Sequence, residues 1–305
     1  MKTSLKKNSK KSRTRTRTKS KSKSKSKVLV LDYTSFKNKI KNIDILSYIY
    51  TKKIPPILFK TSSFELDKAP SEIKDILYNP ENKNYITVYF SDTDIISFIK
   101  EEYPEFYDDY ANVRPGAFKA DIFRLLVLYL YGGIYNDIGH MFLRPIGQIV
   151  SENDELVLTK DWISTSHKAI HNSFMGAYPR HPLILSFIEN VMKNVHTHYY
   201  GSNPLDITGP TALGLIFNNF FSSDKNNKKN KILTGSHVYK NHDSIDFHVK
   251  FYYNDSVNID DTIGTPVIRL KFPNYYDIMY TNRNVKRYGD MWKDREVYIQ
   301  QSIKK

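Results

Sequence analysis

The stretch FKADIFRLLVLYLYGGIYNDIGH, Phe118 to His140, decides how the rest of the chain is read. Apolar residues recur at Phe118, Ile122, Leu125, Leu126 and Tyr129, the spacing of one buried helical face. Asp121 and Arg124 stand three apart, so their side chains leave that helix on the same side. Gly132 and Gly133 end the helix, because glycine takes the left-handed C-terminal position without a Cβ penalty. Ile134 and Tyr135 then open a short buried strand, with Asn136-Asp137 at its exit. A carboxylate leaving the C-terminal end of a strand, beside a helix that offers an acid and a guanidinium, forms a ligand-site arrangement in an open α/β sheet. Singly, these features have plainer meanings: an Asp and an Arg three apart make a solvated ion pair, and Gly-Gly is a stop. Their order is what points to a site.

Working outward, 305 residues hold one large domain with a substantial core or two small ones, and 40% apolar with 14% aromatic content is globular. The net charge of +14 is not spread through the fold. Residues 1–27 hold thirteen Lys and Arg and no acid, whereas the remainder holds 33 basic and 32 acidic residues. This RTRTRT and KSKSKSKS tail repels itself and buries nothing, so it is expected to be disordered. It is either a solubilising tail or a site for an anionic partner: nucleic acid, an acidic protein or an anionic membrane surface. It has no aromatic residue to stack on bases, which weakens specific nucleic-acid recognition. The absence of cysteine excludes disulfides, thiolate metal sites and a cysteine nucleophile. No apolar run approaches the roughly 18–20 residues of a membrane span, and the basic N-terminus lacks the apolar core of a signal peptide. A soluble, cytoplasmic protein is the default expectation.

Residues 28–53 read as a helical lead-in and 54–300 as one domain. Ile54-Pro55-Pro56-Ile57-Leu58-Phe59-Lys60-Thr61 bars helix and opens a strand. Pro70 to Tyr78 is a short helix, and Tyr85 to Phe90 a strand by its β-branched and aromatic content. The Asp-x-Asp at 92–94 invites a metal reading, but its position before IISFIKEEY is that of a helix N-terminus with acids in the first turn. Glu155 to Leu158, Tyr239 to Tyr253 and Pro266 to Phe272 read as strands.

The string Lys119-Ala-Asp-Ile-Phe-Arg124, followed by Gly132-Gly-Ile-Tyr-x-Asp137, resembles the sugar-nucleotide core of the DXD-containing glycosyltransferases of family 32, the relatives of the initiating α-1,6-mannosyltransferase. Ile54, Pro55, Ile57 and Thr61 agree with the family's first strand, where Phe59 and Ser62 replace its His and Trp. Met141 to Ile146, the segment His171 to Ala177, then His181-Pro182-Leu183, and the Thr208-Gly209-Pro210 turn resemble later family segments, which implies a strand at the first and a helix over Pro182 to His196, and Trp292 matches a C-terminal Trp. The resemblance is good over roughly 54–215 and poor beyond.

The resemblance implies a GT-A-type α/β domain: a mixed, mostly parallel sheet with helices on both faces. It implies a retaining transfer of a hexose from a UDP- or GDP-sugar to a carbohydrate or protein hydroxyl. Asp121 would contact sugar hydroxyls, Arg124 the sugar or that carboxylate, and Asp137 the donor or its metal, with Asn172 and Trp292 as further donor contacts. A divalent cation, Mn²⁺ or Mg²⁺, would meet the charge of the departing diphosphate. The second DXD position is Gly139, which brings no ligand. His140 or a C-terminal acid such as Asp290 would then complete the metal site, or the protein is a catalytically silent relative that serves as a binding or partner protein.

Overall fold

The structure, a computed structural model, describes residues 28–161, 169–224 and 234–299. The basic tail, 1–27, and the partner expected for it lie outside the described residues.

In chain order the elements are β1 (Leu29–Leu31), α1 (Tyr33–Ile40), α2 (Ile45–Thr51), β2 (Ile57–Thr61), α3 (Ser71–Leu77), β3 (Ile86–Phe90), α4 (Asp92–Glu102), α5 (Tyr107–Asn112) and α6 (Gly116–Tyr131). Then come β4 (Gly133–Asn136), β5 (Met141–Phe142), α7 (Ile146–Ile149), β6 (Leu156–Lys160), β7 (Ile170–Ala177), α8 (Pro182–His196) and α9 (Pro210–Phe220). The chain closes with β8 (Gly235–Lys240), β9 (Asp246–Asn254), β10 (Asn258–Asp260), β11 (Pro266–Arg269), α10 (Tyr275–Met279) and α11 (Tyr288–Lys293).

All strands join one mixed sheet in the order β1-β3-β2-β4-β7-β6-β9-β10-β11-β5, with β8 added on β9. The first four run parallel, so the chain leaves β2, β3 and β4 at one edge. β7 is antiparallel to β4 and brings the residues before Phe174 to that same edge. Alternation along the strands sorts the core into two faces. Ile57, Phe59, Val88, Phe90 and Tyr135 pack against α1, α4, α6, α8 and α9, whereas Leu58, Tyr89, Ile134 and Phe174 face α3, α7 and the β10–β11 pair. Helices thus cover both faces, as expected.

Several local expectations need revision. α6 does not bury one face: Phe118, Asp121 to Leu128 and Tyr131 are all buried, because α8 and α11 cover what the sheet does not. The lead-in begins as a strand, where the apolar triplet Leu29–Leu31 completes the sheet edge beside β3. Tyr239 to Tyr253 is a hairpin of two strands, turned where polar residues 241–244 interrupt the apolar pattern. The Asp-x-Asp at 92–94 is a helix start: Ser91 and Asp94 form a reciprocal capping box.

The α6-to-β4 junction depends on its glycines. Gly132 and Gly133 have φ of 66° and 94°. A Cβ at Gly133 would lie 2.7 Å from the Ile57 carbonyl oxygen, and one at Gly132 2.6 Å from Pro179 Cδ. Both the dihedral and the space exclude a side chain. Gly133→Ala should lower unfolding free energy by about 2–3 kcal/mol, read from the urea midpoint; an unchanged midpoint would contradict this packing.

Candidate active site

Arg124 stands at the centre of the site. It is buried within α6, its side chain only 5% exposed. A buried guanidinium needs acceptors for its five N–H groups. Nε donates to the Ala120 carbonyl at 3.1 Å and Nη1 to the Asn172 carbonyl at 2.5 Å. Nη2 lies 3.1 Å from Asp121 Oδ1 and 3.4 Å from Asp137 Oδ1. The Tyr135 ring lies against it, centroid 4.5 Å from Cζ.

Asp121 is equally enclosed. Asn172 Nδ2 donates to its Oδ1 at 2.9 Å and Thr208 Oγ1 to its Oδ2 at 2.7 Å. Burial raises its pKa from 3.8 to about 6, against the opposing pull of Arg124, Thr208 and Asn172. Asp137 is the reachable member: its side chain is 36% exposed. Tyr135 OH donates to its Oδ1 at 2.9 Å, and its own N–H donates to the Ser173 carbonyl at 2.9 Å.

The structure therefore brings Asp121, Arg124, Asp137 and Asn172 into one network at the exit of β4. Trp292 lies on α11, with its indole N–H donating to the Tyr200 carbonyl at 2.7 Å; it makes no polar contact with the network. Asp290 is exposed on the same helix.

Lys60, Thr208, Tyr135 and Tyr275 were not singled out from the sequence. Lys60 is fully buried on β2, and its ammonium donates to the carbonyls of Asn136 at 3.3 Å, Asp137 at 3.1 Å and His140 at 3.1 Å. Three carbonyl partners match the three N–H groups of an ammonium, one more than a neutral amine has. Burial nevertheless lowers the Lys60 pKa to about 7, with Asp137 opposing. A lone lysine inside ILFKT, an otherwise apolar strand, was the available signal. Thr208 lay in a segment read only as a turn.

Among the described residues, those at the site do not fit a divalent cation. Position 139 is closed: a Cβ there would be 2.8 Å from Tyr275 Cε2 and 3.1 Å from the Leu270 carbonyl oxygen. His140 points inward, 4% exposed, with Nδ1 bonded to Asn136 Oδ1 at 2.6 Å, so it does not stand in as a ligand. Burial, then the nearby Lys60 charge, keeps its imidazole neutral well below the ordinary histidine range. Among the described residues no three His, Asp or Glu side chains gather as a metal site.

Residues 72–156, from α3 to the first residue of β6, match the family described as "Glycosyltransferase sugar-binding region containing DXD motif". The resemblance drawn from Lys119 to Asp137 is thereby shown for that region. Mannosyl phosphorylinositol ceramide synthase SUR1 of Saccharomyces cerevisiae is 30% identical over 142 residues, 45% of this chain and 35% of that protein. The CSH1 synthase of the same yeast is 27% identical over 205 residues, covering 64% and 51%. The initiation-specific alpha-1,6-mannosyltransferase of Candida albicans is 22% identical over 254 residues, covering 72% and 66%. The chain thus spans between a third and two thirds of these relatives' lengths. Among solved structures, the PaToxG glycosyltransferase aligns with a TM-score of 0.41 at 17% identity, over 61% of this chain and 79% of its own.

Thr208→Val tests the Asp121 setting. It removes one hydrogen bond to a buried carboxylate, worth about 1.5–3 kcal/mol when that carboxylate is ionised. Because the folded-state pKa is raised, the stability that protonation contributes is complete below the unfolded value of 3.8 and lost as pH rises through about 6. The cost of the substitution should therefore be larger at about pH 8 than at about pH 5, read from urea unfolding; equal costs would show that Asp121 does not titrate there.

Proposed function

We propose that this protein is a glycosyltransferase that moves a hexose from a nucleotide-sugar donor to a hydroxyl of a carbohydrate, protein or glycolipid acceptor. The observation that carries the reading is the exposed Asp137 carboxylate, backed by the buried Arg124–Asp121–Asn172 network at the C-terminal edge of the parallel strands. Ligands of open α/β sheets bind at that edge.

In the transfer, the bond from the anomeric carbon to the phosphate oxygen breaks and its electron pair leaves with the diphosphate. A bond forms from the anomeric carbon to the acceptor oxygen, whose proton ends on the departing phosphate. The transition state is cationic at the sugar ring and anionic at the leaving group, so fixed charges aimed at each lower the barrier. Asp137 accepts from the donor's hydroxyls with its free oxygen. Arg124 and Tyr135 fix the orientation of that carboxylate, and Asp121 and Asn172 fix Arg124. The named activities of the yeast relatives make mannose the first sugar to test, and GDP-mannose the first donor.

A second reading is a silent relative that binds a donor without turning it over. Gly139, closed by Tyr275, favours it, since that position would otherwise supply an acid.

The test is release of free nucleotide from GDP-mannose, UDP-glucose and UDP-GlcNAc with a panel of hydroxyl acceptors. Turnover with one donor is expected, and Asp137→Asn should reduce it about 100-fold or more. Binding without turnover supports the silent reading, and no binding by any donor removes both.

A further inference from the structure

We propose that this chain holds its sugar donor without a divalent cation, and that Lys271, seconded by Arg287, meets the charge of the donor's diphosphate. The inference rests on the nucleotide-sugar reading above and concerns how that ligand is held.

Asp137 is poorly placed to recruit a metal. Its Oδ1 already receives Tyr135 OH at 2.9 Å and faces Arg124 Nη2 at 3.4 Å. The Lys60 ammonium lies behind its backbone carbonyl at 3.1 Å. Two protein cations thus flank the carboxylate before any ion arrives, and their repulsion opposes a third. The position two residues on, where a partner acid would stand, is filled by the Tyr275 ring.

The same ring leads to the alternative source of charge. Tyr275 and Tyr276 open α10, directly after the loop that carries Lys271. Lys271 Nζ bonds Tyr276 OH and stands 4.4 Å from the Tyr276 ring centroid and 6.0 Å from that of Tyr275. Arg287 Cζ is 4.8 Å from the Tyr276 centroid, so one ring carries two cations. Neither cation has a carboxylate partner among the described residues, whereas the neighbouring Lys286 is held by Asp294 and Glu296.

This wall shares its field with Asp137. Burial, and for Tyr275 the neighbouring Tyr280, push the Tyr275 and Tyr280 hydroxyls upward with the Asp137 charge adding to it, and Lys271 adds a last small share to the burial and nearer charges that push the His140 imidazole downward. An exposed lysine, an arginine and tyrosine hydroxyls beside an exposed carboxylate suit a ligand with two phosphates at one end and sugar hydroxyls at the other.

The experiment titrates GDP, UDP, GDP-mannose and UDP-glucose into the full chain by calorimetry, once with EDTA and once with Mn²⁺. The bound donor should show the same affinity in both within about threefold, and Lys271→Met should weaken the diphosphates about tenfold while leaving guanosine or uridine binding unchanged. Lys271→Arg should retain most of the affinity. Binding that needs Mn²⁺, or diphosphate affinity unchanged in Lys271→Met, overturns this inference and leaves the transferase reading standing. Absence of binding with and without the ion overturns both. Lys271 is exposed, so the variant's fold is checked simply by an unchanged melting temperature.

Discussion

Arg124 has five N–H donors and almost no water. A guanidinium in that position is tolerable only where acceptors converge on it, and a guanidinium left unpaired in such a site would cost several kcal/mol. That requirement organises the centre of the molecule. It draws in the Ala120 carbonyl one helical turn back, the Asn172 carbonyl from β7, and the carboxylates of Asp121 and Asp137. Helix α6, strand β7 and the exit of β4 are thereby fixed relative to each other by one side chain. Asn172 closes the arrangement by giving its carbonyl to Arg124 and its amide to Asp121.

Lys60 performs the corresponding task from the other face of the sheet. The turn after β4 leaves three carbonyls without strand partners, and buried carbonyls need donors. The ammonium satisfies all three. Its Nζ lies over the Phe142 ring, 5.9 Å from the centroid. Asp137 is consequently carried on a turn held from below by Lys60 and from the side by Arg124. This is how an exposed carboxylate keeps a fixed direction, which a group that orients a ligand must do.

Much of this was legible in the sequence, for reasons that can be separated. The helix ending at Gly132-Gly133, the strand after it and the association of Asp121, Arg124 and Asp137 all depend on contacts close in sequence, where spacing predicts geometry. The helix start at Ser91 to Asp94 is local in the same sense, whereas the helix from Pro182 to His196 is implied by the family resemblance. What could not be read depends on distant partners. That α6 is buried almost all round is set by α8 and α11, and no periodicity within α6 announces their arrival. That His140 turns inward follows from Asn136 and from the packing beneath the turn. That a glycine at 139 is required follows from a tyrosine near the other end of the chain. From the sequence, Gly139 is a missing acid; in the fold, it is the space that Tyr275 occupies.

That exchange alters the charge balance of the site. Asp121 and Asp137 bring two carboxylates, and Arg124 and Lys60 two basic groups, so acids and bases are equal in number within the inner network. A pair of carboxylates at 137 and 139 would have left an excess of negative charge that a divalent cation could balance and then pass on to a diphosphate. With Gly139 there is no such excess. The diphosphate of the proposed donor would carry a charge on each phosphate, and leaving those charges unmet would cancel any gain from contacts to the sugar. The compensation has to come from groups outside the inner network and next to it. The tyrosine that excludes the second acid belongs to the segment that carries Lys271 and Arg287, both without carboxylate partners among the described residues. On the proposed reading, the glycine at 139 and the two cations available to a diphosphate are two consequences of one packing event, the seating of α10 against the turn at 139.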